Sequence, residues 1–384
     1  MTAANILERT AGLLNRKARA VGHNLFAPAP VRPTLLLQSD DWGRTGLPDP
    51  MAIERLRAAG VPLTASAWDR FGLETVADLA ALGDLLLGQR DSDGNPAVMS
   101  AVFVMANADL LTMQAESYSR FLAVPICQGL PAPWQPEALM PQYRQLIASG
   151  VFYPALHGYT HFNPLLLLRL AREDSARGAR IRTLHAQGIP YLASLTPEFN
   201  FALLDRSSAA ERFIGTAEQA SWIEQGVSLF QEAFGRKPYS ACAPGYRFDT
   251  TTCKLWARAG LHVIHNAGGL VGNSEGLWHL PRNVFFEPVL DANALHASIK
   301  AAELAVSRGE PIVVCTHSIN YVSRHLGRAQ EGLSQLSALL TALRQRFPDL
   351  RFAQEEQLHR SWLQQDPSWW RAPAGAERMA RFTA

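Results

Sequence analysis

The sequence predicts an α/β fold built on a parallel sheet. Short apolar strands alternate with helical segments from residue 34 to residue 353, which is the rhythm of strand–helix crossovers. Several strands run directly into polar residues able to do chemistry, as strands do at the carboxyl ends of such sheets. The chain has 384 residues, 47% of them hydrophobic, enough for a large core and too many for a disordered chain. Length alone points to about two or three domains, but α/β barrels often run this long as one.

The elements follow in order. Residues 1–21 place Arg9, Arg16, Lys17 and Arg19 among Ile6, Leu7, Leu13 and Leu14. No continuous apolar core follows the basic residues, so a helix packed outside the sheet is expected rather than a secretory signal. A membrane-surface helix is the sharper alternative. The proline-rich residues 27–33 form a stiff connector, and residues 34–37, TLLL, the first strand. Asp49 and Pro50 open a helix to residue 59. Residues 62–67 form a second strand, 76–89 a leucine-spaced helix, 91–95 a turn and 97–106 a third strand. Residues 107–134, with Pro125, Pro131 and Pro133, form an irregular loop of the kind that frames clefts. Residues 135–149 are helical and lead into the strand 151–156. Asn163 and Pro164 start a helix over 165–178, and 181–201 is a connecting segment. Ser207 or Ser208 caps a helix running to about residue 234.

Strands are then expected at 239–243 and 261–265, with a helix over 250–259 between them and Gly260 as its stop. His265 reads as a structural histidine. In Arg282 and Glu287, either could reach the cleft or pair with the other. Helices follow at 292–308 and 328–347, with the strand 312–315 between them and a last strand at 350–353. Trp362, Trp369 and Trp370 form a packed cap or, alternatively, a sugar-stacking surface.

The net charge is +2, which argues against a nucleic-acid protein. No stretch approaches the roughly 20 apolar residues of a membrane span. Cys127, Cys242, Cys253 and Cys315 form no C-x-x-C pair and read as buried thiols of a reducing, cytoplasmic compartment, with a Cys242–Cys253 disulfide left open.

Two stretches carry the chemistry. Residues 34–43, TLLLQSDDWG, end a strand in Asp40 and Asp41. Carboxylates at a buried strand end are costly unless paired, and two together call for a cation. The bland reading is a turn. Residues 151–162, VFYPALHGYTHF, end a second strand in His157 and His161, four apart with Gly158 between. That spacing lets two imidazoles reach one ion, and two His with one Asp leave an open position on a divalent metal, zinc by donor type.

Asp-Asp after a first strand, with His-x-x-x-His after a later one, resembles the polysaccharide deacetylases of the NodB-homology class, the carbohydrate esterase family 4 type. Residues 242–248, CAPGYRF, resemble that family's Arg-x-Pro loop, and residues 312–318, IVVCTHS, its late strand ending in a catalytic histidine. The resemblance spans residues 34–317 and implies a distorted (β/α) barrel over 31–360, between an N-terminal helix and connector (1–30) and a Trp-rich tail (361–384). It implies Asp40 as general base, Asp41, His157 and His161 as metal ligands, His317 as general acid, and the Tyr246 amide as a donor to the oxyanion. The family's arginine before the proline is absent, since Cys242 and Ala243 stand there. Arg247 is the candidate substitute, reaching Asp40; the alternative is an arginine bracing the loop through Asp249. The first motif reads SDDWG rather than T-F-D-D-G, so this is a divergent branch.

The expected activity is metal-assisted removal of an acyl group, acetyl by resemblance, from a carbohydrate. Two rivals remain. A glycoside hydrolase would pair Asp40 with Glu198 or Glu287 and need no metal. A non-catalytic glycan-binding barrel would need none of these groups.

Overall fold

The computed structural model describes residues 29–371, apart from 65, 135–136, 207–211, 268–271 and 325–326. The helix and membrane-surface expectations for residues 1–21 lie outside the described residues.

Among the described residues, ten strands form one sheet: β1 (Thr34–Trp42), β2 (Met99–Val104), β3 (Phe152–Gly158), β4 (Ser240–Ala241), β5 (Val263–Asn266), β6 (Gly272–Ser274), β7 (Leu277–Pro281), β8 (Val284–Phe285), β9 (Ile312–His317) and β10 (Arg351–Phe352). Their order is β6-β7-β5-β4-β3-β2-β1-β9-β8, with β10 also pairing β1. Every neighbouring pair is parallel except the β6–β7 hairpin. The sheet curls into a half-barrel, the open form of the expected distorted (β/α) barrel.

The central strand β1 is buried along all nine residues, so its leucines face packed side chains on both sides of the sheet. Leu35 and Leu37 join the main core with Trp42, Phe103 and the helix residues Leu79, Leu82 and Leu86. Leu36 packs instead into the cluster holding Trp278 and Leu358. Direct Cα register places His317 of β9 opposite Asp40 of β1.

Several expected boundaries shift. The described residues of 62–67 form no strand, because Thr64 turns back to accept from the Ser66 amide and to donate to Asp69, ahead of a 3-10 turn over Ala67–Arg70. The helix expected from Asp49 runs over Ala52–Ala58; Asp49 serves the preceding turn, accepting from the Met51 amide. The helix expected over 165–178 is two, Pro164–Arg172 and Ala176–His185, because Ser175 caps a second start by accepting from Gly178 N. Residues 181–185 are therefore helix rather than connector. The cap expected at Ser207 or Ser208 lies outside the described residues; among the described residues the helix that follows covers Thr216–Phe234. The loop 107–134 is more ordered than expected, with a helix at Leu110–Ala115 and a short hairpin pairing Ala106–Ala108 with Ala123–Pro125.

At the C-terminal end, Glu355–Leu363 is helical and Trp362 stacks on Trp278, with ring centroids 5.9 Å apart. Ala29–Pro30 pairs with Trp370–Arg371. All four cysteines are free thiols, so Cys242 and Cys253 form no disulfide. Among the described residues, no helix is long and apolar enough to cross a membrane.

Candidate active site

Asp40 and Asp41 end β1 where it leaves register with β2, a shift that falls between Ser39 and Trp42. Asp41 takes the left-handed backbone conformation, φ 74°, which costs a residue with a Cβ roughly 1–2 kcal/mol. The twist turns two adjacent carboxylates to different partners. One strand end thereby serves two roles.

Asp41 faces the histidines. Its Oδ1 lies 3.4 Å from His157 Nε2 and 3.1 Å from His161 Nε2. Both rings are oriented from behind: His157 Nδ1 meets the Cys242 carbonyl at 2.8 Å, and His161 Nδ1 meets the Tyr191 hydroxyl at 2.6 Å. A ring that donates through Nδ1 turns the bare lone pair of Nε2 toward Asp41, the arrangement of histidines that bind metal. Gly158 makes the spacing possible. Its φ of 151° carries the chain off β3, and a Cβ there would stand 3.2 Å from the Thr160 carbonyl. Burial lowers the His161 pKa to about 3, with the charge of Arg44 adding to the effect, so its imidazole is neutral. Asp41 is held well below the ordinary carboxylate range: burial opposes this, and the neighbouring Arg44 guanidinium is the chief cause of the lowering.

Among the described residues, three groups of side chains bring metal-ligating atoms close together: Asp41, His157 and His161; Asp40, His157 and Cys242; and Glu287, Cys315 and His317. Only the first keeps free valences. Asp41 Oδ1 is buried without a hydrogen-bond partner, whereas Asp40 and Glu287 are engaged as described next. A buried orphan carboxylate oxygen beside two imidazole nitrogens fits a divalent cation.

Asp40 faces the other way. Arg282 Nη1 donates to its Oδ2 and Nη2 to its Oδ1, both at 2.6 Å. Gln38 Oε1 takes Arg282 Nε at 2.8 Å and the Tyr246 hydroxyl takes Nη1 at 2.8 Å. Although burial works against ionisation, Arg282 holds Asp40 far below the usual range. The expectation that Arg247 fills this role is corrected: both Asp40 oxygens belong to Arg282, and Arg247 lies over the Phe201 ring, 5.6 Å from its centroid. Arg282 comes from the end of a different strand, β7. Its signal in the sequence was the one shared by the other site residues, a polar side chain immediately after an apolar strand.

His317, at the end of β9, places Nε2 4.0 Å from Asp40 Oδ2. Its Nδ1 meets Glu287 Oε1 at 2.6 Å, and Glu287 Oε2 accepts from Asn320 Nδ2 at 2.6 Å. Burial disfavours the charged ring, but Glu287 overrides it and raises the His317 pKa to about 10. Arg282 and Glu287 therefore do not pair with each other; each serves a different catalytic candidate. Trp68 stands edge-on to His317, at 5.0 Å.

The Tyr246 amide does not fill its expected role. It donates to the Ala243 carbonyl at 2.8 Å inside the turn over Pro244–Tyr246. The cleft above these groups measures about 370 Å³ and is lined by Asp41, Arg44, Trp68, His161, Tyr191 and His317, among others.

No family model matches the chain, and no curated protein matches it. Solved structures similar to it include a Pseudomonas aeruginosa protein described as a probable polysaccharide deacetylase, with 11% identity, 88% of this chain and 92% of that one covered, and a TM-score of 0.46. A 4-alpha-glucanotransferase from Thermococcus litoralis shares 9% identity over 85% of this chain and 40% of its own, with a TM-score of 0.44. A family 4 carbohydrate esterase from Streptomyces lividans, in complex with acetate, shares 14% identity over 91% of this chain and 100% of its own, with a TM-score of 0.33. At such distances function has to be argued from the residues of the site.

Proposed function

We propose that the chain is a metal-dependent hydrolase that removes an acyl group, acetyl by resemblance, from a carbohydrate. The observation that carries this reading is the unpartnered Asp41 Oδ1, buried between the Nε2 atoms of His157 and His161. Asp41, His157 and His161 would hold the ion, and two imidazoles with one carboxylate suit zinc and leave it an open position. When bound, the ion supplies Lewis-acid polarisation and an acidified water.

The remaining steps belong to the protein. Asp40 accepts the proton of the attacking water. Arg282 keeps it ionised and fixes both oxygens in place, at some expense in basicity. His317 carries the proton that the departing sugar nitrogen or oxygen needs, and Glu287 keeps the ring charged and aimed. An acid and a base 4.0 Å apart at neighbouring strand ends suit attack and departure at one carbonyl carbon. The carbohydrate class is supported by the motifs of residues 34–43, 151–162 and 312–318. The glycoside hydrolase alternative fits less well, because Asp40 and Glu287 are each committed to a cationic partner.

The test is elemental analysis of the purified protein, paired with acetate release from a panel of acetylated glycans. Stoichiometric zinc with acetate release is expected. Metal-free protein that cleaves glycosidic bonds would replace this reading with the carboxylate-pair hydrolase.

A further inference from the structure

We infer that Arg44 is the hydrogen-bond donor to the acyl oxygen as it becomes an oxyanion. This rests on the hydrolase reading above. A hydrolytic site of this kind needs a donor aimed at the carbonyl oxygen, and the Tyr246 amide is committed to the Ala243 carbonyl.

Arg44 has the required place and rigidity. It lies three residues after Asp41 and lines the cleft together with His161 and His317. Its Nη1 donates to Asp41 Oδ2 at 2.8 Å, the oxygen that does not face the histidines. Its guanidinium carbon lies 4.3 Å from the Phe71 ring centroid and 4.9 Å from that of Tyr191. Only 8% of the residue is exposed. Among the described residues, the bond to Asp41 is the only hydrogen bond the guanidinium makes, and its Nε is buried without a partner. A buried guanidinium fixed by two rings and one carboxylate, with N–H groups to spare at the edge of the cleft, is preorganised for a developing negative charge.

The step balances. The water oxygen bonds to the acyl carbon and its proton passes to Asp40. The carbonyl π pair moves onto oxygen, where Arg44 stabilises it. As the C=O bond re-forms, the bond to the sugar nitrogen or oxygen breaks, and the leaving atom takes its proton from His317.

The test uses the full chain reconstituted with zinc, with 4-nitrophenyl acetate as substrate and acetate as a non-reacting carboxylate ligand. Zinc content, kcat, KM and acetate affinity are measured for the wild type, Arg44→Gln and Arg44→Lys. Arg44→Gln is expected to keep its zinc and near-normal KM, to lose about 10²–10³-fold in kcat, and to bind acetate more weakly. Arg44→Lys, which keeps the charge but not the planar fork, is expected to fall between, about tenfold below wild type. If Arg44→Gln does not fold, the lysine variant alone decides: wild-type kcat in it overturns the inference. Zinc-loaded Arg44→Gln with unchanged kcat overturns it too. So does loss of zinc with full activity regained at saturating zinc, which would make Arg44 a positioning residue for Asp41. A wild type that neither holds zinc nor cleaves the ester brings down the hydrolase reading, and the Arg44 assignment with it.

Discussion

Arg282 grips both oxygens of Asp40 at 2.6 Å although 242 residues separate the two in the chain. Both side chains are removed from water, so the pair is worth most as a fixed geometry. Replacing Arg282 by methionine leaves a buried carboxylate uncompensated, which costs about 3–5 kcal/mol. Denaturant unfolding should show that loss, and acetate release should fall because Asp40 is no longer held in place. Arg247→Met, by contrast, should leave turnover within a few fold of wild type. The reverse ranking would return the role to Arg247.

His157→Ala and His161→Ala should each lose most of the bound metal, since two remaining protein ligands hold an ion poorly. Emission spectrometry on the purified variants reads this directly. Full occupancy in the double variant would rule out the site.

Asp40→Asn and Asp41→Asn should separate. Asp41→Asn replaces a charged ligand oxygen by a neutral one and should weaken metal binding. Asp40→Asn should retain metal while acetate release drops by about 10²–10⁴-fold, the usual worth of a general base. Metal lost in Asp40→Asn and kept in Asp41→Asn would mean the roles are swapped.

Glu287→Gln tests the acid. The His317 pKa is raised to about 10 against an ordinary 6.5, so the folded state holds an extra proton between those values. The stability from this pair is complete below pH 6.5 and is lost as pH rises toward 10. Removing the Glu287 charge should bring the alkaline limb of the pH–rate profile down toward neutrality. A limb that stays in place would free His317 from the assigned role.

Glu74 gives a pH effect on stability. Burial raises its carboxyl from 4.5 to about 7, even though the Tyr143 hydroxyl and the Gly43 amide both bond its Oε1. The folded state therefore binds the proton more tightly than the unfolded chain. Stability should fall as pH rises through that window. Glu74→Gln, which keeps an oxygen acceptor for both donors, should flatten the dependence in urea unfolding curves measured from pH 4.5 to 8 (about the window set by the shift).

The local chemistry of the sequence determined the strand ends. An apolar run followed at once by Asp40 and Asp41, by His157, or by His317 reads as a buried strand delivering polar groups to the carboxyl end of a sheet. That pointed to the parallel α/β architecture. Helix breaks such as that at Ser175 were less visible, because a capping serine inside a leucine-rich stretch competes locally with continuation of the helix. Tertiary structure decided which charge answers which. Arg247 and Arg282 both follow strands, and nothing in spacing distinguishes them. The β7 position in the sheet carries Arg282 onto Asp40, while the turn after β4 spends the Tyr246 amide on its own backbone. Electrostatic partners are chosen by distance and burial in three dimensions. Strand propensity and periodicity act over a few residues and carry no information about which distant guanidinium a buried carboxylate will meet.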